Sequence, residues 1–145
     1  MGLRRKAREI AMKSLYSIEV TEGNLELNQN IYKEKLEEII ENAEVTHEKI
    51  IDYARFLVDN TSMNLDFIDK IIEKFSRNWS LASIAPIEKT LMRIAIYEME
   101  FTNTPHPIII NEAIEITKKY CDKKAGKFVN GILDSASRYL KNEKN

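Results

Sequence analysis

The sequence predicts an all-α fold of about seven helices in two small antiparallel subdomains packed together. Three observations lead there. Apolar residues recur at intervals of three and four along most of the chain. No alternating β pattern recurs. Four glycines and three prolines interrupt 145 residues, so the connections are short.

Residues 3–20 form the first helix, with Ala7, Ile10, Ala11, Ser14, Leu15 and Ile18 in one stripe; Gly23-Asn24 ends it. Residues 30–42 give a weaker, mostly exposed helix through Ile31, Leu36, Ile39 and Ile40. Thr46 opens a third as N-cap, without the acid three residues on that a capping box needs, and its stripe is Ile50, Ile51, Ala54, Leu57 and Val58. Asn64 caps a fourth over Leu65, Ile68, Ile71, Ile72 and Phe75. The segment 76–86, SRNWSLASIAP, is a connector holding the one Trp. Pro86 suits the first turn of the most apolar helix, with Leu91, Ile94, Ala95 and Met99 inward, which the pattern makes central. TNTPHP is a turn, with His106 as an exposed turn residue between two prolines. Residues 108–120 form a sixth helix, and Asp122 or its neighbours open a seventh through Val129, Ile132, Leu133, Ala136 and Leu140. The chain reads as one domain, 1–145, with subdomains roughly 1–62 and 63–145.

Several classes of function are excluded by pattern. No run is long and apolar enough to span a membrane, and no secretory signal opens the chain. Cys121 is the single cysteine, which reads as a free thiol in a reducing, cytosolic setting. One Cys with two separated histidines, His47 and His106, makes zinc a poor fit. There is no Gly-rich phosphate loop, no G-x-S-x-G and no H-E-x-x-H. A di-iron bundle needs Glu-x-x-His on two helices, and His106 lacks that glutamate. The expectation is a protein without catalysis, metal or cofactor.

Charge is the informative feature. Residues 1–13 carry Arg4, Arg5, Lys6, Arg8 and Lys13 against Glu9, a net of +4. Residues 19–48 carry nine glutamates against Lys33 and Lys35, a net of −7, and residues 115–145 return to +4. Cations at a helix start oppose a macrodipole that is already positive there. Arg5, Arg8, Met12 and Tyr16 share one flank of the first helix, running from guanidinium to aromatic. Arg pairs with phosphate through a planar fork and stacks on bases. A second cluster, Lys118, Lys119, Lys123, Lys124 and Lys127, surrounds Phe128. Phe128 has two readings, a core residue at the edge of its stripe or a stacking platform for a single-stranded base.

Three blocks carry a family resemblance: RRKAREIAMKSLYSIE, then IEKTLMRIAIYEMEF, then INEAIEITKKYCDKKAGKFVNGILD. In this order the sequence resembles the NusB family of bacterial transcription antitermination factors; segment 20–48 matches weakly. The resemblance implies two helical subdomains and no catalysis. It implies binding to boxA, a single-stranded element in the leader RNA of ribosomal RNA operons, together with NusE, a small-subunit ribosomal protein. Other Nus factors and RNA polymerase complete the complex, which reads through terminators. Carried over by position, Arg4, Arg5, Lys6 and Arg8 match the arginine-rich RNA-binding motif, and Lys127 and Phe128 match the K-F of the RNA surface. Lys124 stands where some relatives carry an acid, and Lys6 replaces a common arginine, keeping charge but losing the fork. Tyr16 and Glu88 match positions facing NusE or its border with RNA. Asn111 and Glu112 are expected to start a helix and bond between helices, and Gly131 to allow a close helix contact. Two alternatives stand beside this reading: an accessory domain of an RNA methyltransferase, and a homodimeric helical module without an RNA role.

Overall fold

Apolar stripes at helical spacing fold as seven α-helices among the described residues of the computed structural model, which are 2–22, 29–77 and 79–143. They are α1 (Gly2–Glu22), α2 (Gln29–Asn42), α3 (Glu48–Met63), α4 (Leu65–Phe75), α5 (Pro86–Phe101), α6 (His106–Tyr120) and α7 (Lys123–Glu143). Gly23-Asn24, the expected end of the first helix, lies outside the described residues. The chain divides into two units, Met1–Met63 and Asn64–Asn145.

In the first unit α1 packs on both α2 and α3. Ala7, Ile10, Ala11, Leu15 and Ile18 of α1, Leu36 of α2 and Ala54, Leu57 and Val58 of α3 are buried there. The inward column of α2 differs from the expected one. Tyr32 is fully buried with Leu36 and Ile40, while Ile31 and Ile39 are only half-buried. A column at i, i+4 and i+8 tracks one face, and the ring of Tyr32 fills more of it than a second isoleucine row could. α2 ends in a Schellman turn: the Val45 N–H donates to Ile40 O at 3.2 Å and the Glu44 N–H to Glu41 O at 3.0 Å. Glu44 takes the left-handed position at φ 55°, which glycine would occupy without strain. The α3 cap falls one residue later than expected. His47, not Thr46, accepts the Lys49 N–H on Nδ1 at 3.2 Å.

In the second unit α5 is buried without a break from Lys89 to Met99. It packs against α4, α6 and α7, which is why its residues are apolar on more than one face. Asn64 holds the α4 N-cap position, though its side chain makes no capping bond. Asp122 caps α7, its Oδ1 accepting the Ala125 N–H at 2.8 Å. Arg93 on α5 forks onto Asp69 of α4, Nε to Oδ1 at 2.8 Å and NH2 to Oδ2 at 3.0 Å.

Three expectations for this unit are corrected. His106 is the first residue of α6 and half-buried, not an exposed turn residue. Its Nε2–H donates to Met99 O at 2.9 Å, and in the neutral ring Nδ1 accepts the Ser137 hydroxyl at 2.7 Å. It thereby ties α6 to α5 and α7. Asn111 is exposed and lies inside α6, so it starts no helix; buried Glu112 follows it. Gly131 faces open space, with nothing within 4 Å of a built Cβ. The close approach is at Gly126, where a Cβ would meet Lys118 Cγ at 3.1 Å and Ile114 Cγ2 at 3.7 Å. Gly131→Ala should therefore raise stability by about 0.5–1 kcal/mol through helix propensity alone. A urea titration checks this; a lowered midpoint would restore the close-contact reading.

Candidate nucleic-acid interface

The expected binding residues fall into two patches, one in each unit. The first is the opening of α1. Its first turn contains no acid, so Arg4, Arg5 and Lys6 add positive charge to the positive end of the helix dipole. Arg4 and Lys6 are exposed and Arg5 is half-buried. Arg8 is different, with 5% of its surface exposed. The expected column from Arg5 to Tyr16 thus turns inward: Arg8 and Met12 are buried, and Tyr16 is half-buried. The guanidinium carbons of Arg4 and Arg8 lie 4.2 Å and 5.9 Å from the ring centre of Tyr53 on α3. Tyr53 in turn stacks on Phe56, 5.6 Å between centroids. Sequence reading missed Tyr53, because nothing in the spacing of α3 says that its ring faces α1.

The second patch is the opening of α7. Here too the first turn holds no acid, and Lys123, Lys124 and Lys127 are exposed. Phe128 is half-buried, and its ring meets Trp79 edge to face at 6.3 Å and 73°. Both rings line an open cavity of about 660 Å³ with Ile84, Glu88, Cys121, Asp122 and Lys124. The connector that carries Trp79 is pinned locally. The Ser76 hydroxyl donates to Trp79 O at 3.3 Å, the Trp79 N–H donates to Ser76 O at 2.8 Å, and Lys89 Nζ donates to Leu81 O at 3.3 Å. Trp79 itself is 53% exposed, so the site presents a large ring that sequence reading had assigned only to a connector. Glu88, Lys124 and Phe128 share this cavity; Lys127 is not among its lining residues.

Burial pushes the Glu88 carboxyl above the ordinary carboxylate range, and the charge of Asp122 adds to that. Burial, then the charges of Glu88 and Asp122, push the Cys121 thiol up. The thiolate is the reactive form, so Cys121 should alkylate slowly at neutral pH despite its exposure. Glu88→Gln removes one of the opposing charges and should speed iodoacetamide labelling by about two-fold, with the rate still rising with pH. A rate unchanged by that substitution would mean that burial and Asp122, not Glu88, control the thiol.

Cations at two helix starts, each beside an aromatic ring, suit a polyanion carrying flat bases. The sequence pattern of the NusB family matches residues 5–138. Transcription antitermination protein NusB of Thermodesulfovibrio yellowstonii is 38% identical over 138 residues, covering 93% of this chain and 91% of the relative. The protein of the same name from Trichlorobacter lovleyi is 38% identical over 144 residues, covering 99% of this chain and 96% of the relative. A chain in a solved structure of antitermination factors NusB and NusE in complex with dsRNA is 28% identical, with a TM-score of 0.84 over 96% of this chain and 98% of that one. NusB from T. maritima is 32% identical, with a TM-score of 0.81 over 93% of this chain and 90% of that one. The family pattern spans residues 5–138 and the named relatives match nearly the whole chain at 38% identity, so this chain belongs to the NusB family.

Proposed function

We propose that this chain is a non-catalytic, RNA-binding transcription antitermination factor of the cytoplasm. With a NusE-type small-subunit ribosomal protein it binds single-stranded boxA RNA in ribosomal RNA operon leaders. It then joins other Nus factors on RNA polymerase, which reads through terminators. The observation that carries this reading is electrostatic. α1 begins with exposed cations and no acid in its first turn, where the helix dipole disfavours cations, and α7 follows its Asp122 cap with exposed Lys123, Lys124 and Lys127. Such an arrangement costs stability in the free protein and is relieved when phosphate arrives.

Arg4, Arg5, Lys6, Lys124 and Lys127 are assigned to phosphate. Phe128, in edge-to-face contact with Trp79, is assigned to one unstacked base. Tyr16 and Glu88 are assigned to the NusE side. The likeness to a chain solved with NusE and dsRNA supports both partners. Among the described residues no helix is long and apolar enough to cross a membrane.

Fluorescence anisotropy tests the proposal. It uses a short boxA-type RNA, a scrambled strand and a duplex control, with and without purified NusE, at two salt concentrations. Tighter and sequence-selective binding in the presence of NusE is expected. Equal, salt-labile binding to all three RNAs with or without NusE would overturn it and leave a generic polyanion surface.

A further inference from the structure

We infer that Tyr53 is a positioning residue for RNA binding: its ring holds the Arg4 guanidinium in place at the start of α1. The inference rests on the proposal that Arg4 meets phosphate, and adds to it a residue outside the cationic segment.

Three facts meet at this ring. Arg4 lies on it at 4.2 Å, within the range of a stacked cation, and Arg8 lies near it at 5.9 Å. Arg8 is nearly enclosed at 5% exposure, whereas Arg4 is exposed. Tyr53 is itself stacked on Phe56, one turn further along α3. Two cations four residues apart at the positive end of a helix repel each other and the dipole. The negative face of an aromatic ring offsets part of that repulsion.

The stack also acts on entropy. A free arginine side chain loses rotamer freedom when it is fixed. A guanidinium laid on a ring has given up part of that freedom before RNA arrives, and stacking uses its face rather than its in-plane N–H edge. That edge is the one that pairs with a phosphate. Arg8 belongs beneath the patch in this arrangement, as the inner cation of the stack, and Arg4 is the outer one.

The test replaces Tyr53 in the full chain with phenylalanine and with pentafluorophenylalanine. The two rings are close in size, so packing is kept, while fluorination reverses the charge of the ring face. Each is combined with Arg4 and with Arg4→Ala, and RNA affinity is measured by anisotropy across a salt series. Tyr53→Phe should bind within about two-fold of the parent, because the quadrupole is kept. The pentafluoro ring should weaken binding by about three-fold and lower the salt slope, as a disengaged Arg4 releases fewer counterions. In the Arg4→Ala background the two rings should bind alike.

A pentafluoro ring that binds as well as phenylalanine while Arg4→Ala weakens binding would overturn the role of Tyr53 alone. Arg4→Ala without effect on affinity or salt slope would overturn the assignment of Arg4 itself. An equal loss from the pentafluoro ring with and without Arg4 would reduce Tyr53 to a packing residue.

Discussion

Arg93→Met should lower the stability of the chain by about 3 kcal/mol and its melting temperature by about 10 °C. The ion pair it removes is bidentate and poorly exposed, with side-chain exposures of 6% for Arg93 and 19% for Asp69. Its worth as a pair is modest, because two charges have left water to form it. Its loss on one side is costly, because Asp69 keeps its charge and loses its partner. The double change Arg93→Met with Asp69→Leu removes both charges and should recover most of the loss. Urea and thermal unfolding of the two single variants and the double provide the cycle. Single variants within 0.5 kcal/mol of the parent, on the usual scale of surface changes, would mean that the pair is decoration on a helix contact made by apolar side chains. The effect should appear in stability and not in RNA affinity measured well below the melting temperature, since neither residue belongs to the cationic patches.

The converse is expected of the triple variant Arg4→Ala, Arg5→Ala, Lys6→Ala. Each change removes a cation from a dipole end that disfavours it, so helix α1 gains slightly. The Arg4 stack on Tyr53 is lost and offsets that gain. The melting temperature should stay within a few degrees of the parent. RNA affinity should fall by about 50-fold at physiological salt, and the slope of log affinity against log salt by about two units, if all three side chains meet phosphate on a single strand. Arg8 is left out of this variant for a reason the fold supplies. At 5% exposure and beside Tyr53 it cannot be cut back without cost, so a loss of binding in Arg8→Ala would mix folding with contact. A triple variant that binds with an unchanged slope would move the RNA surface away from α1 altogether.

Local rules carried the reading of the helices. Positions three and four apart face the same way, so the stripes of α1, α3, α4, α5 and α7 could be marked before any packing was known. Pro86 at the start of α5 and Asp122 at the start of α7 are chemistry of the chain's own backbone, legible one residue at a time. The cationic helix starts were legible for the same reason, since a dipole argument needs only the residues of one turn. Where two neighbours compete for a local role, the sequence was less decisive. Thr46 has the better capping side chain, yet His47 accepts the bond because the helix begins at Glu48.

Legible along the chain are therefore the helical class, the order of the helices, the inward faces of all but α2 and the sign of charge at their ends. Tertiary structure alone decided which long-range partners meet. It set Arg8 beneath a ring 45 residues away, brought Trp79 against Phe128, drew His106 inward to Ser137, and put the tight helix approach at Gly126 rather than Gly131. The physical reason is common to all four. Periodicity states which face of a helix avoids water, but the partner on the opposing face depends on how two helices are rotated and shifted against each other, and that follows from packing the whole core at once.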